Sequence, residues 1–536
     1  MRGILILSTI LQTIFFFQVN AQRPTFFNVQ QFGAAGQKDI LVTKNIQQAI
    51  DKCAEIGGGV VYFPAGNYLM GHIELKDNIT LHLEAGATIW ASRDSNDYKG
   101  NNGVKKSYES GEMPSGDVPV LIYANKAKNI SIIGKGTING RAQRTLEPLK
   151  AVDSFTKWET ENARKAGIDL KMYYKVPPFT NMIILDDCEN VTIQDVSLIE
   201  SISWTLHFKW CKKVHVERIY IESSLENGVN ADGIDVDGCK DVLIDNCIVK
   251  TGDDAIVLKT TRTPDGQTQS CENVVVTNCS LTSTDSGLKL GTESYADFKH
   301  IIFNNCVVRN TNRGISIIIR DGATVSDVLF SNITMECNRK YYFWWGNGDP
   351  IWLVVRQRRP DSKIGTIKNI SFQNIIAHAQ GTVKIEGFAG VPLENISFTG
   401  FQIFMDPEDQ PDKRAADAFF AHDVNELTMK DVKVKWNTLK VEPMWRHAFS
   451  FENVNGLYLD ELKGDPAPTK NGAMINLNNV ESAIIEACRP DDINSRFLQI
   501  NGERSKNIFV VNSLLANMDS KIIKGKEVNP ACVQLK

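Results

Sequence analysis

Between about residue 119 and residue 400 the chain repeats short stretches of alternating apolar and polar residues. Each is closed by Asn, Asp or Gly, as in N-I-S-I-I-G-K-G-T-I-N-G at Asn129–Gly140. Alternation with a period of two marks a strand with one buried face, and the closing residues are those that tolerate tight turns. The polar residue at the strand end recurs as Asp195, Asn246, Asn278, Asn305, Asn332, Asn374 and Asp431, mostly a coil of about 23 to 32 residues apart. One such repeat cannot bury its inner face alone, so successive copies must stack. The pattern predicts an all-β fold, a right-handed parallel β-helix, with like residues in ladders along its axis.

The opening of the pattern is different. F-G-A-A-G at Phe32–Gly36 precedes a helical stretch from Thr43 to Ala54, in which Ile46, Ile50 and Cys53 recur at helix spacing. Gly57-Gly58-Gly59 and V-V-Y-F-P-A-G-N-Y at Val60–Tyr68 follow, and Ile79–Leu83 and Ala87–Ile89 open the strand series. A short N-terminal capping helix over the first coil is expected, since a solenoid needs its open end covered. Residues 22–118 are assigned to this cap and the first coils, 119–400 to the central β-helix and 401–536 to the last coils and a closing cap.

Two stretches break the repeat. Residues 141–178 are charged and partly helix-like. Residues 334–352 gather Tyr341, Tyr342, Phe343, Trp344, Trp345 and Trp352 around G-N-G-D. That aromatic cluster reads either as a sealed small core or as a wall on which sugars stack, and Trp344 and Trp345 are candidates for the second role.

Composition narrows the function classes. With 42% hydrophobic and 23% charged residues the chain is an ordinary soluble sequence. Its formal charge of −4 gives no reason to expect nucleic acid or an acidic membrane as partner. Arg2, the apolar run Ile4–Phe17 and Val19-Asn20-Ala21 read as an export signal over residues 1–21, cleaved before Gln22, which implies a periplasmic or extracellular protein with no membrane insertion; a monomer is expected. Eleven cysteines is an odd number. Cys247, Cys279 and Cys306 share one repeat position, which predicts an internal row of small buried side chains. Paired C-x-x-C spacing is absent, so zinc is not indicated.

Chemistry concentrates in two acidic motifs about 21 residues apart, N-A-D-G at Asn230–Gly233 and G-D-D at Gly252–Asp254. Stacked as coils, they bring Asp232 beside Asp253 and Asp254. Three carboxylates on one ridge repel one another, a cost that usually has a chemical use. The competing reading is that Asp232 and Asp254 merely cap turns. His207 in W-T-L-H reads as a packed histidine, and Asp235 and Asp237 are too few to make a calcium site.

The opening module, S-I-S-W-T-L-H at Ser201–His207, N-A-D-G and G-D-D together resemble glycoside hydrolase family 28, the polygalacturonase and rhamnogalacturonase group, over roughly residues 27–400. The resemblance implies Asp253 as general acid and Asp232 with Asp254 as the pair that holds the attacking water, with no metal and no organic cofactor. One protonated carboxyl at the leaving oxygen and one ionised carboxylate near a water is what glycosidic cleavage needs. Room for that water between the groups implies inversion at the anomeric carbon.

The chain departs from the family twice. Where the family carries G-H-G, it reads D-S-G-L-K-L-G-T-E-S at Asp285–Ser294, so Ser286 replaces the histidine. Where the family carries R-I-K, it reads N-R-G-I-S-I-I-I-R-D at Asn312–Asp321. Aligning Gly233, Gly287 and Gly314 places Arg313 beside the serine's column and Lys289 where the family keeps its arginine. Asn230, Ser286, Lys289, Arg313 and Arg320 are therefore the expected substrate contacts, with a salt bridge to Asp321 or Glu293 as the competing role for Arg320. The expected activity is inverting hydrolysis of an α-linked acidic or pectic poly- or oligosaccharide of galacturonan or rhamnogalacturonan type, with action from a chain end favoured over internal cutting of homogalacturonan. A polysaccharide lyase and a non-catalytic glycan-binding solenoid are the alternatives.

Overall fold

In the computed structural model, the described residues are 25–536 apart from 99–118, most of 145–179, 341–345, Ala389, Lys470 and 514–520. The export segment and Trp344 and Trp345 lie outside them. Among the described residues, 38 strands join one sheet, and its strands pair in parallel with the equivalent strand of the next coil. A single apolar file shows the winding: Ile183, Leu206, Ile234, Ile256, Leu288, Ile315 and Ile351 are register partners in turn. All seven are fully buried. This is a right-handed parallel β-helix, the hand that parallel crossovers adopt almost without exception. The insertion after residue 141 contributes an antiparallel ribbon of Leu146–Pro148 with Tyr173–Lys175.

The predicted cap is present as α1 (Thr43–Glu55), which buries Ile46, Ala49, Ile50 and Cys53 against the first coils. No helix among the described residues is long and apolar enough to cross a membrane.

Side-chain ladders hold the coils in register. Each of the seven strand-end residues predicted above has positive φ, from 47° at Asp431 to 61° at Asp195. Asn and Asp adopt this left-handed region more readily than other side-chain-bearing residues. Their amides then bond along the axis: Asn332 donates to Asn305 at 3.1 Å and Asn374 donates to Asn332 at 3.2 Å. A second such column begins earlier, where Asn129 donates to Asn78 and Asn190 to Asn129, both at 2.7 Å.

Inside, Phe303, Phe330, Phe372 and Phe398 stack one per coil, with ring centroids 4.9, 5.1 and 4.7 Å apart. All eleven cysteines are free thiols and buried. Cys247, Cys279 and Cys306 form the expected row, each thiol donating to the carbonyl two residues before it at 3.2 Å. A second row, Cys188, Cys211, Cys239 and Cys271, was not anticipated; the backbone carbonyls of its first three members accept from Lys212, Lys240 and Glu272 of the next coil.

Two outcomes are expected. Phe372→Ala should lower stability by about 3–5 kcal/mol, as for other fully buried rings, read from urea unfolding midpoints. The native protein should leave its thiols unreacted with a water-soluble disulfide reagent, and all eleven should react once it is denatured.

Candidate active site

Six consecutive strands of one face build the site: β1 (Leu206–Lys209), β2 (Ile234–Asp237), β3 (Ile256–Thr260), β4 (Ser286–Ser294), β5 (Arg313–Ile319) and β6 (Asp349–Val355). Two residues before the apolar file described above stand Asp232, Asp254, Ser286, Arg313 and Asp349. Ser286, Arg313 and Asp349 are direct register partners, and the backbone N–H groups of Gly233 and Ala255 tie the Asp232, Asp254 and Ser286 coils together. One position earlier runs a second file, Ala231, Asp253, Asp285 and Asn312. The two files bring Asp232, Asp253 and Asp254 together, with one oxygen of each within 4.8 Å of the others. Their residues are only 2, 3 and 2% exposed.

Residues 53–418 match the family model of the glycosyl hydrolases family 28. The chain belongs to that family.

The family 28 enzyme is thus a glycoside hydrolase. It is 28% identical over 268 residues to the exo-poly-alpha-D-galacturonosidase of Dickeya chrysanthemi, a match that covers 46% of this chain and only 44% of that protein. It is 24% identical over 386 residues to a probable polygalacturonase of Vitis vinifera, covering 70% of this chain and 73% of that one. Its fold is similar to those of a Thermotoga maritima exopolygalacturonase (TM-score 0.59, 21% identity, 77% of this chain and 93% of the other) and a Yersinia enterocolitica family 28 exopolygalacturonase (TM-score 0.61, 20% identity, 81% and 78%).

The three carboxylates of the enzyme have different partners. Lys259, from β3, reaches Asp232 at 2.9 Å and Asp235 at 3.0 Å. Lys289, from β4, reaches Asp254 at 2.7 Å and Asp285 at 3.1 Å. Asp253 is paired with neither lysine; its oxygens accept the backbone N–H groups of Asn230 at 2.8 Å and Asp254 at 2.9 Å. Burial, then the charges of Asp232, Asp254 and Asp285, push the Asp253 carboxyl well above the usual range, against Lys289. Burial also pushes Asp254 up, with Lys289 opposing. At Asp285 burial acts upward too, but Lys289 and Arg313 overcome it and hold the group below the usual range. Asp253, Asp254 and Asp285 therefore titrate as a set rather than singly.

The other expected contacts fall in different places. Asn230 touches the ridge through its backbone, with φ 58°. Ser286 is wholly enclosed, with its hydroxyl 3.3 Å from Asp285 and 3.1 Å from Ser316, and it braces the ridge. Lys289 and Arg313 are both turned to carboxylates of the site. Arg313 donates to Asp285 at 2.8 Å and its guanidinium lies 4.5 Å from the Trp352 ring. Arg320 follows β5, seven residues past Arg313, which is roughly 23 Å of extended strand from the ridge. Arg358 is bidentate to the neighbouring Asp321 at 2.8 and 2.9 Å. His207 is packed as expected, 3.3 Å from Asp237 and edge-on to Trp204.

Sequence reading overlooked Lys259, Asp285 and the partnership of Asp235. Asp285 stands one coil beyond Asp253 in the same file, and extending the glycine alignment by one position exposes it. Lys259 stands two residues past Val257, the register partner of Asp235 and Lys289, and so shares their face of the sheet; nothing in the motif itself marks it. Trp204 lies under Lys259, 3.7 Å from the ammonium to the ring centroid, and fixes that lysine from below.

Lys259→Met should leave the buried carboxylates of Asp232 and Asp235 without their cation and cost about 3–5 kcal/mol at neutral pH. The deficit should shrink as pH falls, because burial raises the Asp235 carboxyl and, once protonated, it no longer needs the lysine. Urea unfolding of variant and wild type at neutral and mildly acid pH measures both.

Proposed function

We propose that the enzyme is exported and hydrolyses α-linked galacturonan- or rhamnogalacturonan-type pectic chains, acting from a chain end with inversion. The observation that carries the mechanism is the unequal sharing of lysines: Asp232 and Asp254 each hold one, and Asp253 holds none. Asp253 is then the carboxyl that keeps a proton at neutral pH. Asp232 and Asp254, each held by its lysine, each retain a buried oxygen, Oδ1, that receives no hydrogen bond from the described protein. Those two oxygens are suited to orient a water molecule.

In the proposed reaction that water attacks the anomeric carbon while Asp253 gives its proton to the leaving glycosidic oxygen. The carbon–oxygen bond breaks, and Asp232 and Asp254 take up the proton the water releases. The names of the relatives support a galacturonan-type substrate. Their exo-acting members, and a ridge that is almost enclosed, favour a chain end. Export rests on the charged, apolar and small-residue sequence of residues 1–21.

The nearest ridge oxygens are closer than the ~6.5–9.5 Å between the carboxyl groups of inverting enzymes. What favours inversion is the pair of unpartnered base oxygens, which serve a water better than a covalent sugar ester. Proton NMR of the first product settles the point: the β-anomer is expected, and an initial α-anomer would require a covalent intermediate.

Asp253→Asn should lower kcat by roughly 10²–10⁴-fold on pectic oligosaccharides with the fold intact. Full activity in that variant would remove Asp253 as the acid. An unsaturated, ultraviolet-absorbing product would instead indicate elimination, and reducing-end release absent across pectic polymers and oligomers would leave only binding.

A further inference from the structure

Beyond the three ridge carboxylates, the structure holds a fourth in the same acidic file. Asp285 lies one coil from Asp253, a separation of about 4.8 Å between stacked strands. It is 2% exposed and tightly held. Its Oδ2 accepts from Lys289 at 3.1 Å and its Oδ1 from Arg313 at 2.8 Å. The Ser283 hydroxyl accepts its backbone N–H at 2.9 Å and also donates to the backbone carbonyl of Asp253 at 2.6 Å. Its own carbonyl accepts from the Arg313 backbone at 2.8 Å. Side chain and backbone together thus lock Asp285 to the coil of Asp253.

The charged groups facing this pair can be named from each packed strand. Asp232 comes from the coil below, with Lys259 and Asp235 beside it. Asp254 adjoins Asp253 in sequence, Lys289 projects from β4 and Arg313 from β5. On the β2 and β3 side Lys259 is shared by two aspartates. On the β4 and β5 side Lys289 is also shared by two, Asp254 and Asp285. The ridge is a pair of lysine bridges with Asp253 between them.

We propose that Asp285 is a positioning residue for hydrolysis: its fixed negative charge keeps Asp253 in the proton-donating form, and its hold on Lys289 keeps that lysine on Asp254. The proposal rests on the assignment of Asp253 as the acid. Asp285 acts through Asp253 and Lys289. Losing it would remove a negative neighbour from Asp253 and release two cations toward it. Both changes make the Asp253 proton easier to lose. Burial and the charge of Asp285 both act to raise the Asp253 carboxyl, and Asp285 is itself held ionised by Lys289 and Arg313.

The test is the pH profile of kcat/KM on a pectic oligosaccharide for full-length wild type and three variants. Asp285→Asn should move the alkaline limb to lower pH by about one unit or more, since a charge at this range inside a protein is worth that much. Asp285→Glu, which keeps the charge, should restore the limb toward the wild-type position. Arg313→Gln should move it the other way, upward, because Asp285 then acts on Asp253 with one cation fewer to offset it. A merely structural role would lower kcat and leave the limb in place. An unmoved limb in Asp285→Asn and Arg313→Gln overturns the proposal. If Asp285→Asn does not fold, Arg313→Gln decides alone: an upward limb supports the role and an unmoved one ends it. Failure of the acid assignment is distinguishable, because Asp253→Asn would then stay active whatever the Asp285 variants do.

Discussion

Repulsion between carboxylates forced into register is the constraint around which this molecule is arranged. A parallel β-helix sets equivalent residues of successive coils about 4.8 Å apart, so a motif repeated on neighbouring coils repeats its charge at that distance. Asp232 and Asp254 occupy one file and Asp253 and Asp285 the next, all almost fully buried. In a soluble, unstacked chain these groups would separate and ionise freely. Here the backbone forbids separation, and only cations placed on the same face relieve the cost.

The remedy is economical in residues and asymmetric in effect. Two lysines serve four aspartates, with Lys259 bridging Asp232 and Asp235 and Lys289 bridging Asp254 and Asp285. Neutralisation is therefore incomplete, and the shortfall gathers where no lysine reaches. One carboxyl, Asp253, is left without a cation of its own in surroundings that favour a bound proton, while its neighbours each hold a lysine. Acid and base character thus come from one residue type in a single cluster, separated by which coil carries a cation. Trp204 beneath Lys259 and Trp352 beside Arg313 give those cations apolar backing that limits their freedom to move.

Much of this was legible in the sequence because a solenoid writes its architecture as a period. The strand-end residues Asp195 through Asp431, the capping helix with Ile46, Ile50 and Cys53, and the Cys247, Cys279 and Cys306 row all follow from counting along a repeat. The adjacency of Asp232, Asp253 and Asp254 follows from the same count. Partners were harder to read. Whether Lys289 and Arg313 turn to a ligand or to Asp254 and Asp285 depends on side-chain direction and local charge balance, neither of which has a period. Ser286 shows the same limit: its column was right, and its enclosure by Asp285 and Ser316 was not visible. The second thiol row escaped because Cys188, Cys211, Cys239 and Cys271 occupy a different turn of the coil from the row that was recognised.

Those thiol rows bear on how the chain survives its own assembly. Neighbouring coils hold Cα atoms at a spacing that also suits a disulfide, so sulfurs in each row are stacked within reach of cross-linking once the strands pair. Only the thiolate attacks, and in the second row burial pushes Cys211, Cys239 and Cys271 away from that form, whereas the neighbouring Cys279 thiol shifts Cys247 and Cys306 toward it. In the second row protection therefore comes from completed winding and is missing before it. In an oxidising compartment the redox fate of the molecule is decided by a race between coil closure and the local oxidant, and a chain that winds late is stapled in whatever arrangement it has reached.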